Sequence, residues 1–263
     1  MLFLNRDMDR VELHGVPGGT AAVFSRGDVG RDGPNQDSAA IIPVNEQCVV
    51  LAVADGVGGH PDGASASSVA LAALRDAVGE AAAASPGFRN AILTGFENAN
   101  RAVGELGTGG GTTLAVAKVE AGRLRPVHVG DSAVAVFGQR GKRKLETLSH
   151  SPVGYAVEAG LLDENEAMHH EERHIISNIV GSDMMRIEIG SPVQLAARDT
   201  VLLATDGLLD NLFMDEIIDL TRAGPLEHCA QAMADLCLAR MKDRLEGKPS
   251  KPDDLTFVLF RPS

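Results

Sequence analysis

The sequence predicts an α+β fold in which antiparallel sheets carry helices on their outer faces. Two observations predict it. Short apolar, β-rich runs come in adjacent groups, and two long helical patterns lie together between the second and third of these runs. A regular βαβ wind would instead alternate one strand with one helix. The chain also shows no obvious linker, internal repeat or low-complexity tail, so residues 1–263 read as a single domain.

Taken in order, Ser38 to Ile42 and Cys48 to Ala54 are the first strands, each a short apolar run. Helical patterns then cover Ala64 to Ala83 and Phe88 to Leu106. Thr113 to Val119, Leu124 to Val129 and Ala133 to Phe137 read as successive strands. Lys142 to Asp183 differs from the rest: it is polar and holds His150, His169, His170 and His174. Within it, Leu162-Asp163-Glu164-Asn165-Glu166 has the acidic pattern of a helix start. The segment reads as a flap leaving the core sheet, with an ordinary surface insertion as the alternative. Strands resume at Arg186 to Ile189, Val193 to Ala197 and Val201 to Ala204. Helical patterns cover Leu208 to Leu220 and Leu226 to Leu245, with Pro225 suited to a first turn, and Thr256 to Phe260 is the last strand.

Composition removes several function classes. The net charge is −12 and the pI about 5.1, so the basic footprint that phosphate-backbone binding needs is missing. Aromatic residues make up 3% of the chain, with no Trp and Tyr155 the single tyrosine, which gives no stacking platform for nucleic acid. Met1-Leu2-Phe3-Leu4 turns charged at Arg6, Asp7 and Asp9, unlike a secretion signal. Apolar runs such as Val49 to Ala54 are too short to span a bilayer, so no membrane association is expected. Cys48, Cys229 and Cys237 are scattered without a CxxC pair, which argues for a reducing cytoplasm and against zinc or a disulfide framework.

Acidic residues recur at the strand ends. Val49 to Ala54 runs into Asp55-Gly56, Leu124 to Val129 into Gly130-Asp131, and Val201 to Thr205 into Asp206-Gly207. Asp37 precedes the first strand, and Asp253-Asp254 the last. A carboxylate at a buried strand end is costly to desolvate unless a cation or a donor meets it. Five converging carboxylates would repel one another without metal. Oxygen ligands alone, without His or Cys, favour Mg²⁺ or Mn²⁺ over Zn²⁺. The glycine beside Asp55 lets the main chain come close, so the Gly56 carbonyl is a candidate ligand too.

These residues carry a resemblance. Arg31-Asp32-Gly33-Pro34-Asn35-Gln36-Asp37, Asp55-Gly56-Val57-Gly58-Gly59-His60, Gly111-Thr112-Thr113, Gly130-Asp131-Ser132, Asp206-Gly207-Leu208-Leu209-Asp210-Asn211 and Asp253-Asp254-Leu255-Thr256 resemble, in order, the motifs of the metal-dependent (type 2C, PPM) serine/threonine protein phosphatases. The likeness runs from about Phe24 to Phe260, and the bacterial branch is the most similar; Leu148-Ser149-His150-Ser151 and Val157-Glu158-Ala159-Gly160 resemble its flap. The resemblance implies a four-layer α-β-β-α sandwich of two mainly antiparallel sheets, with metal bound between the sheets and a flap over about residues 142–183. It implies that Asp55 bridges two metals with the Gly56 carbonyl beside it, that Asp206 and Asp253 complete the first site, and that Asp37 serves the second partly through water. Asp131 with Asp206 matches a third, weaker site near the flap, and Arg31 the phosphate-binding arginine. His60 is a candidate proton donor, and His170 and Arg173 match a flap pair three residues apart.

The implied reaction is hydrolysis of phosphoserine or phosphothreonine on a protein. Two Mn²⁺ or Mg²⁺ ions about 3.5–4 Å apart would share and activate a water aimed in line at phosphorus. The implied setting is a cytoplasmic, monomeric signalling enzyme paired with a Ser/Thr kinase pathway. This chain departs from the family pattern at Gln36, Val57, Ala133 and Ser149, where Glu, His (in the eukaryotic branch), Arg and Asp are common. Two other readings were weighed. A catalytically inactive homologue would bind phosphoproteins without turnover. His170-Glu171-Glu172-Arg173-His174 fits H-E-x-x-H, which on a helix would hold zinc for a metalloprotease, although its neighbours are polar and no third ligand stands out.

Overall fold

The computed structural model describes residues 1–28, 30–57, 61–84 and 90–263. The chain opens with β1 (Leu2–Leu4), β2 (Glu12–Val16) and β3 (Gly19–Arg26), then the hairpin of β4 (Asp37–Asn45) and β5 (Cys48–Val57). Helices α1 (Pro61–Ala84) and α2 (Ala91–Gly104) follow, then β6 (Gly111–Thr112), β7 (Leu114–Glu120), β8 (Arg123–Val129), β9 (Ala133–Phe137) and β10 (Arg143–Glu146). The flap segment holds α3 (Pro152–Glu158), α4 (Glu164–Met168) and a single 3₁₀ turn, Glu171–His174. After it come β11 (Glu188–Ile189), β12 (Val193–Gln194), β13 (Thr200–Ala204), α5 (Asp206–Leu209), α6 (Met214–Thr221), α7 (Leu226–Lys242) and β14 (Leu255–Pro262).

The strands form two antiparallel sheets. One runs β1-β4-β5-β7-β8-β11, with β6 and β12 at its margins; the other runs β10-β9-β13-β14-β3-β2. Side-chain alternation explains the layering. In the first sheet Ala39, Ile41, Val49, Leu51 and Val53 join the core shared with the second sheet. Their neighbours Ala40, Ile42, Val50, Ala52 and Ala54 face the other way and pack with Leu71, Leu74 and Phe96 of α1 and α2. A sheet covered on both faces reads as a continuous apolar run, which is why Val49 to Ala54 lacks polar alternation. The second sheet contributes Phe24 and Phe257, directly paired across β3 and β14 with rings 5.8 Å apart. Met233, Ala234 and Cys237 of α7 close that side. The result is the expected α-β-β-α order.

Several boundaries differ from the sequence expectation. The helix expected over Leu208 to Leu220 is two helices, α5 and α6, because the chain turns at Asp210 to Phe213. Asn211 is committed there: its amide donates to the Gly207 and Lys251 carbonyls at 2.8 and 2.7 Å. The first three strands were not expected, being short or mixed in polarity, nor was β10, inside the polar flap segment. Phe88 and Arg89, the start of the second expected helix, lie outside the described residues. Antiparallel pairing brings the start of β4 beside the end of β5, and the end of β13 beside the start of β14. All the strand-end acids therefore gather at one end of the sandwich.

Candidate metal centre

Asp37 and Asp55 are paired residues of β4 and β5, so their side chains leave the same face of the first sheet. The end of β5 is held firmly. The Asp55 N–H donates to Thr113 Oγ1 at 3.0 Å, and its carbonyl accepts from the Thr113 N–H and the Thr112 hydroxyl at 2.8 Å each. A Cβ on Gly56 would lie 2.1 Å from the Gly63 carbonyl oxygen, so glycine here lets α1 begin hard against the strand.

The second sheet delivers its acids by a similar close approach. A Cβ on Gly207 would meet the Asp254 carbonyl oxygen at 1.8 Å, so only glycine lets the Asp206 turn abut the Asp253-Asp254 segment. The Thr205 hydroxyl donates to Asp37 Oδ2 at 2.8 Å and ties the two sheets together at this point. Asp210, one helical turn after Asp206, lies on the same face. The Lys251 ammonium joins the group, 2.6 Å from Asp206 Oδ2, 2.8 Å from Asp210 Oδ2 and 3.2 Å from Asp253 Oδ2.

Asp131 is positioned from the flap side. Buried His150 accepts at Nδ1 from the Gly130 N–H at 3.1 Å, while the His150 N–H donates to the Gly130 carbonyl at 3.0 Å. Asn178 also donates to Nδ1, at 2.9 Å, which leaves Nε2 carrying the proton toward Glu188 at 3.1 Å. His150 thus fixes the turn carrying Asp131. It also stacks on buried His128 at 4.4 Å, and His128 Nε2 in turn bonds the Leu148 carbonyl at 2.7 Å.

The electrostatics are those of carboxylates short of positive charge. Burial pushes the Asp37 and Asp55 carboxyls well above the ordinary aspartate range, and the surrounding aspartates push them further. Asp131 is pushed up to about 8, by burial first and then by Asp206 and Asp210. Asp253 is raised to about 6, by burial and Asp206, with Lys251 opposing. Burial disfavours the Lys251 ammonium, but Asp206, Asp210 and Asp253 more than offset this and hold it charged. Among the described residues, Asp37 Oδ1 and Asp131 Oδ1 are buried with no hydrogen-bond partner. Orphaned carboxylate oxygens and an all-oxygen donor set fit hard divalent cations.

Arg31 lies at the rim, one-third exposed, and pairs with Asp254 Oδ2. Asp254 is buried and also accepts from the backbone N–H groups of Asp28 and Gln36, at 2.8 and 2.7 Å. A groove of about 750 Å³ opens beside Asp131, Asp206 and Asp210. Val153, Val157 and Met168 of the flap and Met214 of α6 line it, together with Glu146, Glu158, Glu164, Arg173 and Lys248. Arg173 Nε is 3.9 Å from Asp210 Oδ2, which links the flap to the acidic cluster.

Some expected roles change. His60 lies outside the described residues. The HEERH segment is a 3₁₀ turn, not the α-helix that zinc ligation would need, and His170 Nδ1 is spent capping it by accepting from the Glu172 N–H at 3.2 Å. That removes the metalloprotease reading. Sequence reasoning gave no role to Asp210, Asp254 or Lys251. The four-residue spacing of Asp206 and Asp210 was a usable signal; for Lys251, a lone lysine in a polar loop, there was none.

Known proteins share this fold. The family model "Protein phosphatase 2C" matches residues 26–245. A putative protein phosphatase 2C-type of Streptococcus pyogenes is 30% identical over 215 residues, covering 78% of this chain and 86% of that protein. The crystal structure of serine/threonine phosphatase Stp1 from Staphylococcus aureus superposes with a TM-score of 0.81 at 25% identity, covering 95% of this chain and 98% of the other. The catalytic domain of serine/threonine protein phosphatase PstP in complex with 2 manganese ions superposes at 0.69, with 25% identity and coverage of 92% and 96%. The family-model match takes in Asp37, Asp55, Asp131, Asp206 and the flap, and on it and the 30% identical relative this chain belongs to the protein phosphatase 2C family.

Proposed function

We infer that this chain is a metal-dependent protein phosphatase that hydrolyses phosphoserine and phosphothreonine. One observation carries the reading: acidic residues from distant parts of the chain converge at one end of the sandwich, with buried carboxylate oxygens that no donor meets. Divalent cations bound there would supply Lewis acidity on phosphoryl oxygens and acidify a water molecule. The chain's own residues supply the rest. Asp55, Asp206 and Asp253 would hold one ion, and Asp55 with Asp37 a second, with the Gly56 carbonyl beside the bridging Asp55. Asp131 with Asp206 would hold a third, weaker one. The oxygen-only donor set supports Mn²⁺ or Mg²⁺.

Arg31 would meet the substrate's phosphoryl oxygens, its planar fork matching two of them. Its pairing with Asp254 keeps the guanidinium at the rim before substrate arrives. His60 is proposed as the proton donor to the leaving serine or threonine oxygen. His150 orients the Asp131 turn, and Arg173, bonded to the Met168 carbonyl, orders the flap beside the groove. His170 shapes the same turn as its cap. The reading treats residues 1–263 as one monomeric catalytic domain and 142–183 as its flap subdomain.

The groove's excess of carboxylates supports a phosphoprotein substrate with basic residues near the phosphorylated site. A Ser/Thr kinase acting on the same protein is the implied partner. Three unpaired, buried cysteines support a reducing, cytoplasmic setting; no described helix is long and apolar enough to cross a membrane. The test is phosphate release from matched phosphoserine, phosphothreonine and phosphotyrosine peptides with Mn²⁺, beside Asp206→Asn. Turnover of the first two peptides that Asp206→Asn abolishes supports the reading. Binding of those peptides without turnover would favour the inactive homologue.

A further inference from the structure

Lys251 occupies the centre of three carboxylates. Its ammonium has three hydrogens to donate, and Asp206, Asp210 and Asp253 each lie within 3.2 Å of it. A lysine side chain is long and costly to order, so a chance approach would leave its backbone loose. Here the backbone is clamped. The Lys251 N–H donates to Asn211 Oδ1 at 2.7 Å, and the Asn211 amide donates back to the Lys251 carbonyl at 2.7 Å. The same amide donates to the Gly207 carbonyl at 2.8 Å, so Lys251 is fastened to the turn that carries Asp206 and Asp210. On the other side the Ser250 hydroxyl donates to the Arg240 carbonyl at 2.7 Å, and Arg240 donates to the Asn211 carbonyl at 2.9 Å.

Two of the three carboxylates, Asp206 and Asp253, are ones assigned above to a divalent ion. An ammonium bonded to these carboxylates weakens their hold on a divalent cation, since the two positive charges repel in a partly buried site. The other side of the centre is different. Among the described residues the Asp37 carboxylate accepts one hydrogen bond, from the Thr205 hydroxyl, and its second oxygen has no donor. The centre is therefore lopsided among the described residues: the Asp206–Asp253 half holds a tethered positive charge, and no such group bonds the Asp37 carboxylate.

We propose that Lys251 is a built-in competitor for metal at the Asp206–Asp253 half of the centre, so that the Asp37–Asp55 half loads first and the other half loads only as the lysine withdraws. This rests on reading the aspartates as metal ligands. It makes loading ordered and sets the metal concentration at which the second half fills. Withdrawal would leave the backbone clamp through Asn211 intact and move only the side chain toward the adjoining groove.

The test is Mn²⁺ binding by the stripped full-length protein, followed by calorimetry and by equilibrium dialysis with elemental analysis. In an Asp131→Ala background, which removes the third site, the protein should show a tight and a weak class of site. Lys251→Met, which keeps length and loses charge, should tighten the weak class by about tenfold or more. Lys251→Arg should keep it weak. Lys251→Gln gives the same comparison as Lys251→Met should the methionine variant fail to fold. Weak-class affinity unchanged in the neutral variants overturns the proposal while leaving the metal centre standing. No Mn²⁺ binding by wild type or any variant overturns both.

Discussion

Asp37 stands directly opposite Asp55 in the antiparallel pairing of β4 and β5. Like charges facing one another across a sheet destabilise it, and burial adds to the cost in both cases. The pairing costs the metal-free fold stability. Asp55→Asn should therefore raise the melting temperature of metal-free protein by a few degrees, in line with a gain of about 1 kcal/mol. The same change should cut Mn²⁺-supported turnover by about a hundredfold or more. Melting in EDTA beside an activity assay checks both; a less stable metal-free variant would contradict the account.

The raised carboxyls give stability a pH dependence. Asp131 and Asp253 hold their protons up to about 8 and about 6, against an ordinary value of 3.8. Groups whose folded pKa is raised stabilise the fold fully below the unfolded value, and that contribution is lost as pH rises through the folded value. Metal-free protein should therefore lose stability between about pH 4 and 8. Added Mn²⁺ should remove most of the decline, because a bound cation takes over the compensation. Melting temperatures at intervals across this window, in EDTA and in Mn²⁺, decide it; a metal-free midpoint that rises with pH would be the wrong sign.

Asp131 should separate the third ion from the core pair. Its neighbours in charge are Asp206 and Asp210, and it lines the open groove. Asp131→Ala should retain both core Mn²⁺ sites, lose about tenfold or more in turnover, and need more Mn²⁺ for half-activity. Metal counting by mass spectrometry with a Mn²⁺ titration of activity reads all three. Loss of every tightly held ion would show that the aspartates are divided wrongly.

Among the described residues the Arg31 guanidinium hydrogen-bonds Asp254 and no proposed metal ligand, although Asp253 lies near enough to favour its charge. Arg31→Ala should raise KM for p-nitrophenyl phosphate by about tenfold, the cost of one charge-assisted phosphate contact. Mn²⁺ affinity should stay within about twofold of wild type, since the metal oxygens are untouched. Unchanged kinetics would remove Arg31 from the site.

The sequence made the acidic end of the sandwich legible because each aspartate follows or precedes an apolar run, and antiparallel pairing leaves little choice about where such residues meet. Asp37 with Asp55, and Asp206 with Asp253, could be read from strand ends alone. Lys251 could not, because nothing in Lys248-Pro249-Ser250-Lys251 sets one lysine apart until Asn211 is seen clamping its backbone. The split of α5 from α6 was hidden for a related reason: apolar periodicity continues across Leu212 and Phe213, while the break depends on Asn211 bonds to Gly207 and Lys251. The HEERH pattern misled in the opposite sense. Its spacing is meaningful only on an α-helix, and this stretch makes one 3₁₀ turn.

The central claim is that catalysis depends on divalent metal held by these aspartates. The most direct measurement is phosphate release from a phosphothreonine peptide by metal-stripped protein as Mn²⁺ is added back, with EDTA at the end point. The account predicts no turnover before addition, a rise that saturates with Mn²⁺, and loss on chelation. Full turnover by the stripped protein, unaffected by EDTA, would contradict it.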